Sequence, residues 1–411
     1  MPGKRAASRG SGSRKRPTRR SPPPARPIPG PDAFSNLREP GYLQSQAATL
    51  LLIGSRLRGD AAATRARAVA ASGSLALSTT ATVEALPAED LQALGFPSMP
   101  VGAPRFRTEH LQRMVGRRFA ASRAAEPGRS ALRAAARSLT PTATAFYRDP
   151  NPETAAALLE VGLRHPHELV RVSAAVSYFA VAADPAPALR VLEHGLGSRD
   201  LLTRDVAAHA LARLDPGNPR LAKLLEPRTR RSTRKRSRTS LIVHGTWARA
   251  SSWWQPPSGD FWKYLHDTVD GTLYGAANRF EWSGGYSDLA RALAGSDLEA
   301  WVQQQQLAGL DLFTHSHGGS VAMLASQAGT AVGRLVLLSC PVHWPKYTPD
   351  FNRVSRVVSV RVHLDLVILA DGGGQRFYDD RIHENVLPAW FDHFATHDPA
   401  TWERYDVKSM L

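Results

Sequence analysis

An internal repeat is the feature that most constrains how this chain folds. Within residues 150–225, ten of 24 positions are identical when Pro152 is aligned with Pro185 and the following positions are paired in order. Each unit has the pattern of two helices, of which the first ends at a Gly-Leu pair and the second carries small residues on its packing face. Because one helix pair cannot bury its apolar face alone, the pattern predicts pairs that stack on each other.

The second helices of the two units, with the sequences LVRVSAA and LLTRDVAA, resemble those of HEAT-type repeats. The resemblance covers about 75 residues, and we predict that residues 150–226 form HEAT-like helical repeats. It implies a binding surface for a protein partner. The alternative is that these helices only support the domain that follows them.

Charge is concentrated in two short tracts. Residues 1–30 hold nine Lys or Arg, residues 228–238 hold seven, and neither tract contains an acid, so together they account for the net charge of +16. Such tracts repel themselves and bury little apolar surface, which predicts a disordered basic tail at 1–40 and a basic linker at 227–239. They favour weak contact with nucleic acid or an anionic membrane, although a solubilising tail and spacer is the alternative.

Two further observations concern the remaining residues and the compartment. Residues 41–149 are predicted to be a helical region of unknown role, with a short helix in LPAEDLQALGF at 86–96. The single cysteine, Cys340, excludes an intramolecular disulfide and a cysteine-based zinc site. The sequence shows no secretory signal and no early apolar run long enough to span a membrane, so we expect a cytoplasmic protein.

The composition changes beyond the basic linker, where all nine tryptophans lie. Short apolar runs predict strands that start near Ser240 and at Leu310, Arg334 and Val357, and helical patterns stand between them. Strands that alternate with helices indicate a mainly parallel sheet. The expected fold is therefore multidomain, with an all-α repeat region followed by an α/β domain over residues 240–411.

Ser316 stands at the most informative point of that domain. The strand-like run Leu310–Thr314 leads into His315-Ser316-His317-Gly318-Gly319, and a helical pattern follows. A sharp turn between a strand and a helix lifts a serine hydroxyl clear of the sheet and places it at the positive end of the helix dipole. The arrangement resembles the G-x-S-x-G nucleophile elbow of the α/β-hydrolase family, with Thr314 in place of the first glycine.

The resemblance covers about 170 residues and implies an oxyanion hole. One backbone N–H donor would come from His317, the residue after the nucleophile. The second would come from Thr246 or Trp247, in the His-Gly loop that follows the first strand.

The family places its acid and its base after the nucleophile, in that order. Asp365 directly follows the fourth strand and is the favoured acid, whereas Asp371, in a glycine turn, is the alternative. His393 ends the last strand-like run and is the favoured base, with His397 as the alternative.

These residues together predict a serine hydrolase that cleaves a carboxylic ester of a small-molecule acyl substrate through an acyl-enzyme, in the manner of an esterase or lipase. The mechanism requires no metal and no cofactor. Amides, thioesters and acyl transfer stay open, because a Ser-His-Asp triad serves all of these reactions. The alternative function is an interaction protein that uses residues 150–226 as a scaffold, with the hydrolase domain inert or subordinate.

Overall fold

The computed structural model of the protein describes residues 25–58, 86–99, 106, 127–225, 238–307 and 309–411. These residues form a helical region that extends to residue 225 and an α/β region that begins at residue 238. Nearly all of the two basic tracts that we predict to contact nucleic acid or membranes lies outside the described residues. No helix in the described part of the chain is long and apolar enough to cross a membrane.

The helical region contains helices at the spacing that the repeat predicts. Its helices are α1 (Asp32–Ser35), α2 (Tyr42–Arg58), α3 (Ala88–Ala93), α4 (Arg129–Arg148), α5 (Pro152–Gly162), α6 (Glu168–Val181), α7 (Ala186–Gly195), α8 (Leu201–Leu214) and α9 (Pro219–Ala222). The first and last residues of α6 align with those of α8 in the repeat, and α5 and α7 both end at the glycine that precedes a leucine. Polar side chains define the starts, since Asn151 caps α5 and Asp200 caps α8.

Residues 25–40 differ from the disordered tail that we predict for residues 1–40. The side chains of Ile28 and Phe34 are buried in the core of the helical region. The Ile28 backbone N–H also donates a hydrogen bond to Ser45 Oγ (2.9 Å) in α2. The burial of these few apolar residues holds the stretch in place. The overall composition of residues 1–40, which are rich in Arg, Ser, Pro and Gly, does not reveal this.

The α/β region is built on one five-stranded sheet. Its strands are β1 (Arg238–Val243), β2 (Gly309–His315), β3 (Val332–Leu338), β4 (Val354–His363) and β5 (Ile382–Trp390), and they stand in the order β1-β2-β3-β4-β5. Every neighbouring pair is parallel, which confirms the predicted parallel sheet. Strand β1 begins at Arg238, inside the predicted linker of 227–239.

Helices cover both faces of the sheet. They are α10 (Asp260–Tyr264), α11 (Asp288–Gln304), α12 (Gly318–Ala328), α13 (Leu366–Asp371) and α14 (Pro399–Arg404). Leu312 of β2 packs with α11 and α12, whereas Phe313, the next residue, packs with α10 and α14. This alternation makes the strand apolar on both faces, as a sheet between two helical layers requires.

The helical region and the α/β region share one hydrophobic cluster. Val206 and Leu211 of α8 belong to the same cluster as Leu366 and Leu369 of α13. The Arg213 guanidinium, near the end of α8, donates a hydrogen bond from Nε to the Ala370 carbonyl (2.8 Å). Helix α8 is thereby fixed against α13, at the edge of the sheet where the candidate site lies.

A buried ion pair also joins the two regions. Asp90 lies in α3, in the short helix that the sequence predicts at 86–96, and its side chain is fully buried. Its carboxylate accepts a hydrogen bond from Arg376 Nη2 (3.2 Å) and lies 2.8 Å from His363 Nδ1 at the end of β4. An acid in the first turn of a short helix thus reaches across to the α/β region.

Candidate active site

The residues that the sequence analysis selects follow four different strands of the sheet. His244 and Gly245 follow β1, Ser316 follows β2, Asp365 follows β4, and His393 follows β5. Because all of these strands are parallel, their carboxyl ends meet at one edge, where α/β sheets place their ligands. The structure therefore brings these residues to a single edge.

Ser316 occupies the turn between β2 and α12 in a left-handed backbone conformation, with φ of +52°. This conformation costs a non-glycine residue about 1–3 kcal/mol and is concentrated at functional sites. Gly318 lets the start of α12 lie close to the end of β1, since a Cβ there would lie 2.3 Å from the Val243 carbonyl oxygen. Thr314 replaces the first glycine of the family pattern, and its Oγ1 donates a hydrogen bond to the Val336 carbonyl (2.9 Å).

Asp365 and His393 form a buried pair. Asp365 caps α13, where its Oδ1 accepts hydrogen bonds from the backbone N–H groups of Val367 (2.9 Å) and Ile368 (3.2 Å). Its other oxygen, Oδ2, lies 2.7 Å from His393 Nδ1. The helix cap fixes the carboxylate, and the carboxylate holds the proton of the imidazole on Nδ1, which leaves the lone pair on Nε2.

Opposing effects act on the pKa of His393. Burial lowers it, but the carboxylates of Asp365, Asp205 and Asp392 favour the charged imidazolium, and the net result is a raised pKa. Asp205 belongs to α8, so the helical region contributes to the electrostatics of this histidine.

The two alternative residues lie outside this pair. Asp371 accepts a hydrogen bond from Tyr286 Oη (2.7 Å) and lies near two other histidines rather than near His393. The His397 ring packs on Trp253, with 4.1 Å between the ring centroids. Burial lowers the pKa of His397 to about 3, and it has no carboxylate partner among the described residues.

The structure distinguishes the candidate oxyanion donors. The backbone N–H groups of Thr246 and His317 have no acceptor among the described residues. Of the two alternatives in this loop, the Trp247 N–H already donates a hydrogen bond to the Gly284 carbonyl (3.0 Å), which favours Thr246. Gly245 allows this loop to approach Ser316 closely, since a Cβ there would lie 2.9 Å from Ser316 Cβ.

Helix α8 contributes a residue that the sequence analysis misses. The His209 ring is buried, and its centroid lies 4.8 Å from that of Trp247, 6.1 Å from that of His317 and 6.4 Å from that of His393.

The repeat contains the signal that would have found His209. In the alignment of the two units, Asp205 stands opposite Val172 and His209 stands opposite Val176. Two polar residues, one helical turn apart, thus replace two valines on one face of the helix.

A second polar cluster adjoins the Asp365–His393 pair. One nitrogen each of His209 and His317 and one carboxylate oxygen of Asp371 lie within 4.8 Å of one another, and all three residues are buried. His317 thus takes part twice, with its backbone N–H near Ser316 and its ring in this cluster. Imidazole and carboxylate groups are ligands that divalent transition metals accept.

Comparisons of the chain with models of protein families, with curated proteins and with solved structures find no match. The site is therefore characterised by its geometry, which consists of the strained turn at Ser316, the buried Asp365–His393 pair and the N–H groups of Thr246 and His317.

Proposed function

We propose that residues 240–411 form a serine hydrolase domain of the α/β-hydrolase type that cleaves carboxylic esters of small acyl substrates, as esterases and lipases do. The observation that carries the proposal is the backbone of Ser316, whose φ of +52° lies in a turn between a strand and a helix. A nucleophile elbow needs this conformation to present the hydroxyl above the sheet. The chain order of Ser316, Asp365 and His393 is also the order of the family.

In the proposed reaction, His393 Nε2 takes the proton from Ser316 Oγ as this oxygen attacks the ester carbonyl carbon. The N–H groups of Thr246 and His317 stabilise the oxyanion that develops. The tetrahedral intermediate expels the alcohol, which receives the proton from His393. Water then attacks the acyl-enzyme with the same base, and the acid leaves as Ser316 regains its proton.

The electrostatics around His393 suit this role. A base that accepts a proton becomes an imidazolium, and the carboxylate of Asp365 at 2.7 Å stabilises that charge. The raised pKa of His393 has the same cause. The base nonetheless has to be neutral before each reaction cycle, so this stabilisation limits activity at low pH.

We further propose that α5–α8 are two HEAT-type units, in which the second unit covers the site. The face of α8 packs on α13 and brings Asp205 and His209 toward His393. This arrangement favours a role for the helical region in the site itself. A protein partner for residues 150–226 stays a prediction.

The test is the hydrolysis of p-nitrophenyl esters from acetyl to decanoyl by the full-length protein. We expect Ser316→Ala and His393→Ala to lower kcat/KM by at least about 10³-fold. Ser326→Ala on α12 and His397→Ala are the matched controls, and both should keep most of the activity. Wild-type rates in a folded Ser316→Ala variant would refute the assignment of the nucleophile.

A further inference from the structure

We propose that His209, His317 and Asp371 form a binding site for a divalent transition metal of the Zn²⁺ class. The site joins three elements, because His209 lies in α8, His317 precedes α12, and Asp371 ends α13. Two imidazole nitrogens and one carboxylate oxygen match a zinc site that keeps its fourth position for water or another ligand. The proposal does not depend on the hydrolase activity.

The ring of His209 is already arranged as a ligand. Its Nδ1 lies 2.8 Å from the Asp205 carbonyl oxygen, so Nδ1 carries the proton and Nε2 has a lone pair. That Nε2 is buried and has no hydrogen-bond partner among the described residues. A histidine that binds a metal typically donates its other N–H to a backbone carbonyl in this way.

His317 and Asp371 supply the other two atoms. His317 Nε2 lies 3.0 Å from Asp371 Oδ1, and His317 Nδ1 lies 3.4 Å from Ser320 Oγ. In the metal-free form, His317 Nε2–H donates to Asp371 Oδ1. In the other tautomer the proton is on Nδ1, which faces Ser320 Oγ, and Nε2 can then bind a metal together with Asp371 Oδ1. The His317 ring is fully buried, so a metal bound there would be shielded from water.

Two further side chains hold the carboxylate in place. Tyr286 Oη donates to Asp371 Oδ1 (2.7 Å), and His343 Nε2 lies 2.7 Å from Asp371 Oδ2. Supporting hydrogen bonds of this kind orient metal ligands and are worth about 10–100-fold in affinity. The carboxylate is therefore held with Oδ1 next to His317 Nε2, the second proposed ligand atom.

Neighbouring charges affect the binding of any cation, and the ligand atoms determine which metal is preferred. The guanidinium groups of Arg213 and Arg291 act electrostatically on Asp371 and oppose a cation, whereas the carboxylate of Asp205 favours one. With one carboxylate and two imidazoles as ligands, the site disfavours Ca²⁺ and Mg²⁺, which prefer oxygen. Zn²⁺ binds imidazole nitrogens well and is therefore preferred. The ligand atoms of a tetrahedral zinc site lie about 3.3 Å from one another, so side-chain shifts of roughly 1 Å would bring these three atoms into position.

The proposal is tested on the full-length protein after treatment with EDTA and dialysis, by calorimetric titration with Zn²⁺ alone at pH 7.5. We expect one Zn²⁺ per chain, and Co²⁺ in its place should give the visible absorption of a tetrahedral site. His209→Val installs the residue of the equivalent position in α6, and it should weaken Zn²⁺ binding by about 100-fold or more. His343→Gln should weaken binding by about 10-fold or more.

The control variant is His383→Gln, which removes an exposed histidine of β5 and should leave binding unchanged. Ser316→Ala should also bind Zn²⁺ normally, which separates the metal site from the proposed hydrolase. The proposal is overturned if the wild type binds no stoichiometric Zn²⁺. It is equally overturned if His209→Val, shown to be folded by circular dichroism, binds Zn²⁺ as tightly as the wild type.

Discussion

Helices α6 and α8 hold equivalent positions in the repeat, but they have different surroundings. Helix α6 packs between α2 and α7, and Val172 and Val176 are buried in an apolar core. Helix α8 packs on α13, and Asp205 and His209, which replace those valines, face the carboxyl edge of the sheet. The two helices occupy the same place in the repeat, whereas their side chains at these two positions differ according to the element that each helix packs against.

Identical and changed positions of the two repeat units have different roles. Identical positions of the two units are those that maintain the helix pairs, such as the glycines that end α5 and α7. A Cβ on Gly195 would lie 2.8 Å from a methyl group of Val172, so its recurrence in both units has a packing reason. The positions that change from apolar to polar mark the face that α8 presents to the site.

The largest expected effect comes from placing the aspartate of α8 in α6. Val172→Asp buries an unpaired carboxylate in an apolar core and should lower the free energy of unfolding by about 3–5 kcal/mol. The reverse change, Asp205→Val, should alter it by less than about 1 kcal/mol, because α8 already borders an apolar cluster. Urea denaturation of both variants measures the difference. Equal losses would mean that the two helices have equivalent surroundings after all.

A smaller effect concerns His165, which precedes α6. Burial lowers the pKa of His165 to about 3, and its Nδ1 accepts a hydrogen bond from the His167 backbone N–H (3.1 Å). Below pH 6.5 the unfolded chain binds a proton at this residue and the folded chain does not, so the free energy of unfolding falls as the pH is lowered. The contribution between pH 7 and pH 5 is about 2 kcal/mol.

The measurement is urea denaturation at pH 5, 6 and 7. His165→Gln should show a pH dependence that is weaker by that amount, while His383→Gln, at an exposed position, should behave as the wild type. A pH dependence that is unchanged in His165→Gln would contradict a neutral, buried His165.

The smallest expected effect concerns Asp205 and the pH dependence of activity. Asp205 is one of the carboxylates that raise the pKa of His393, and a histidine that acts as the proposed base has to be neutral to accept a proton. Asp205→Asn should therefore lower the pKa of His393 and shift the acidic limb of kcat/KM to lower pH. Profiles of kcat/KM against pH measure the shift, with Asp215→Asn, at the end of α8, as the control. A limb that stays in place would show that α8 does not influence the base.

Much of the fold is predictable because it depends on local patterns. The apolar runs give β1 to β4, and the alignment of the two repeat units gives the helix pairs. The residues Ser316, Asp365 and His393 come to one edge because the carboxyl ends of parallel strands meet there. Asp365, the acid that the sequence favours, lies 2.7 Å from His393 Nδ1, whereas Asp371 hydrogen-bonds with other side chains.

The rest depends on how distant parts of the chain dock. Nothing local indicates that α8 packs on α13, so Asp205 and His209 are not predicted to lie near His393. The Trp247 N–H donates its hydrogen bond to Gly284, which belongs to a loop that is distant in the sequence. Residues 25–40 are held in place through Ile28 and Phe34, whose burial depends on the helices that surround them.

If Ser316 is an activated nucleophile, it should react covalently with a fluorophosphonate probe. The probe reacts with serines whose proton is removed by a neighbouring base, and mass spectrometry of the digested protein locates the label. We predict one labelled serine, Ser316, and no labelling in Ser316→Ala or His393→Ala. A label on another serine, or no label on the folded wild type, would contradict the account.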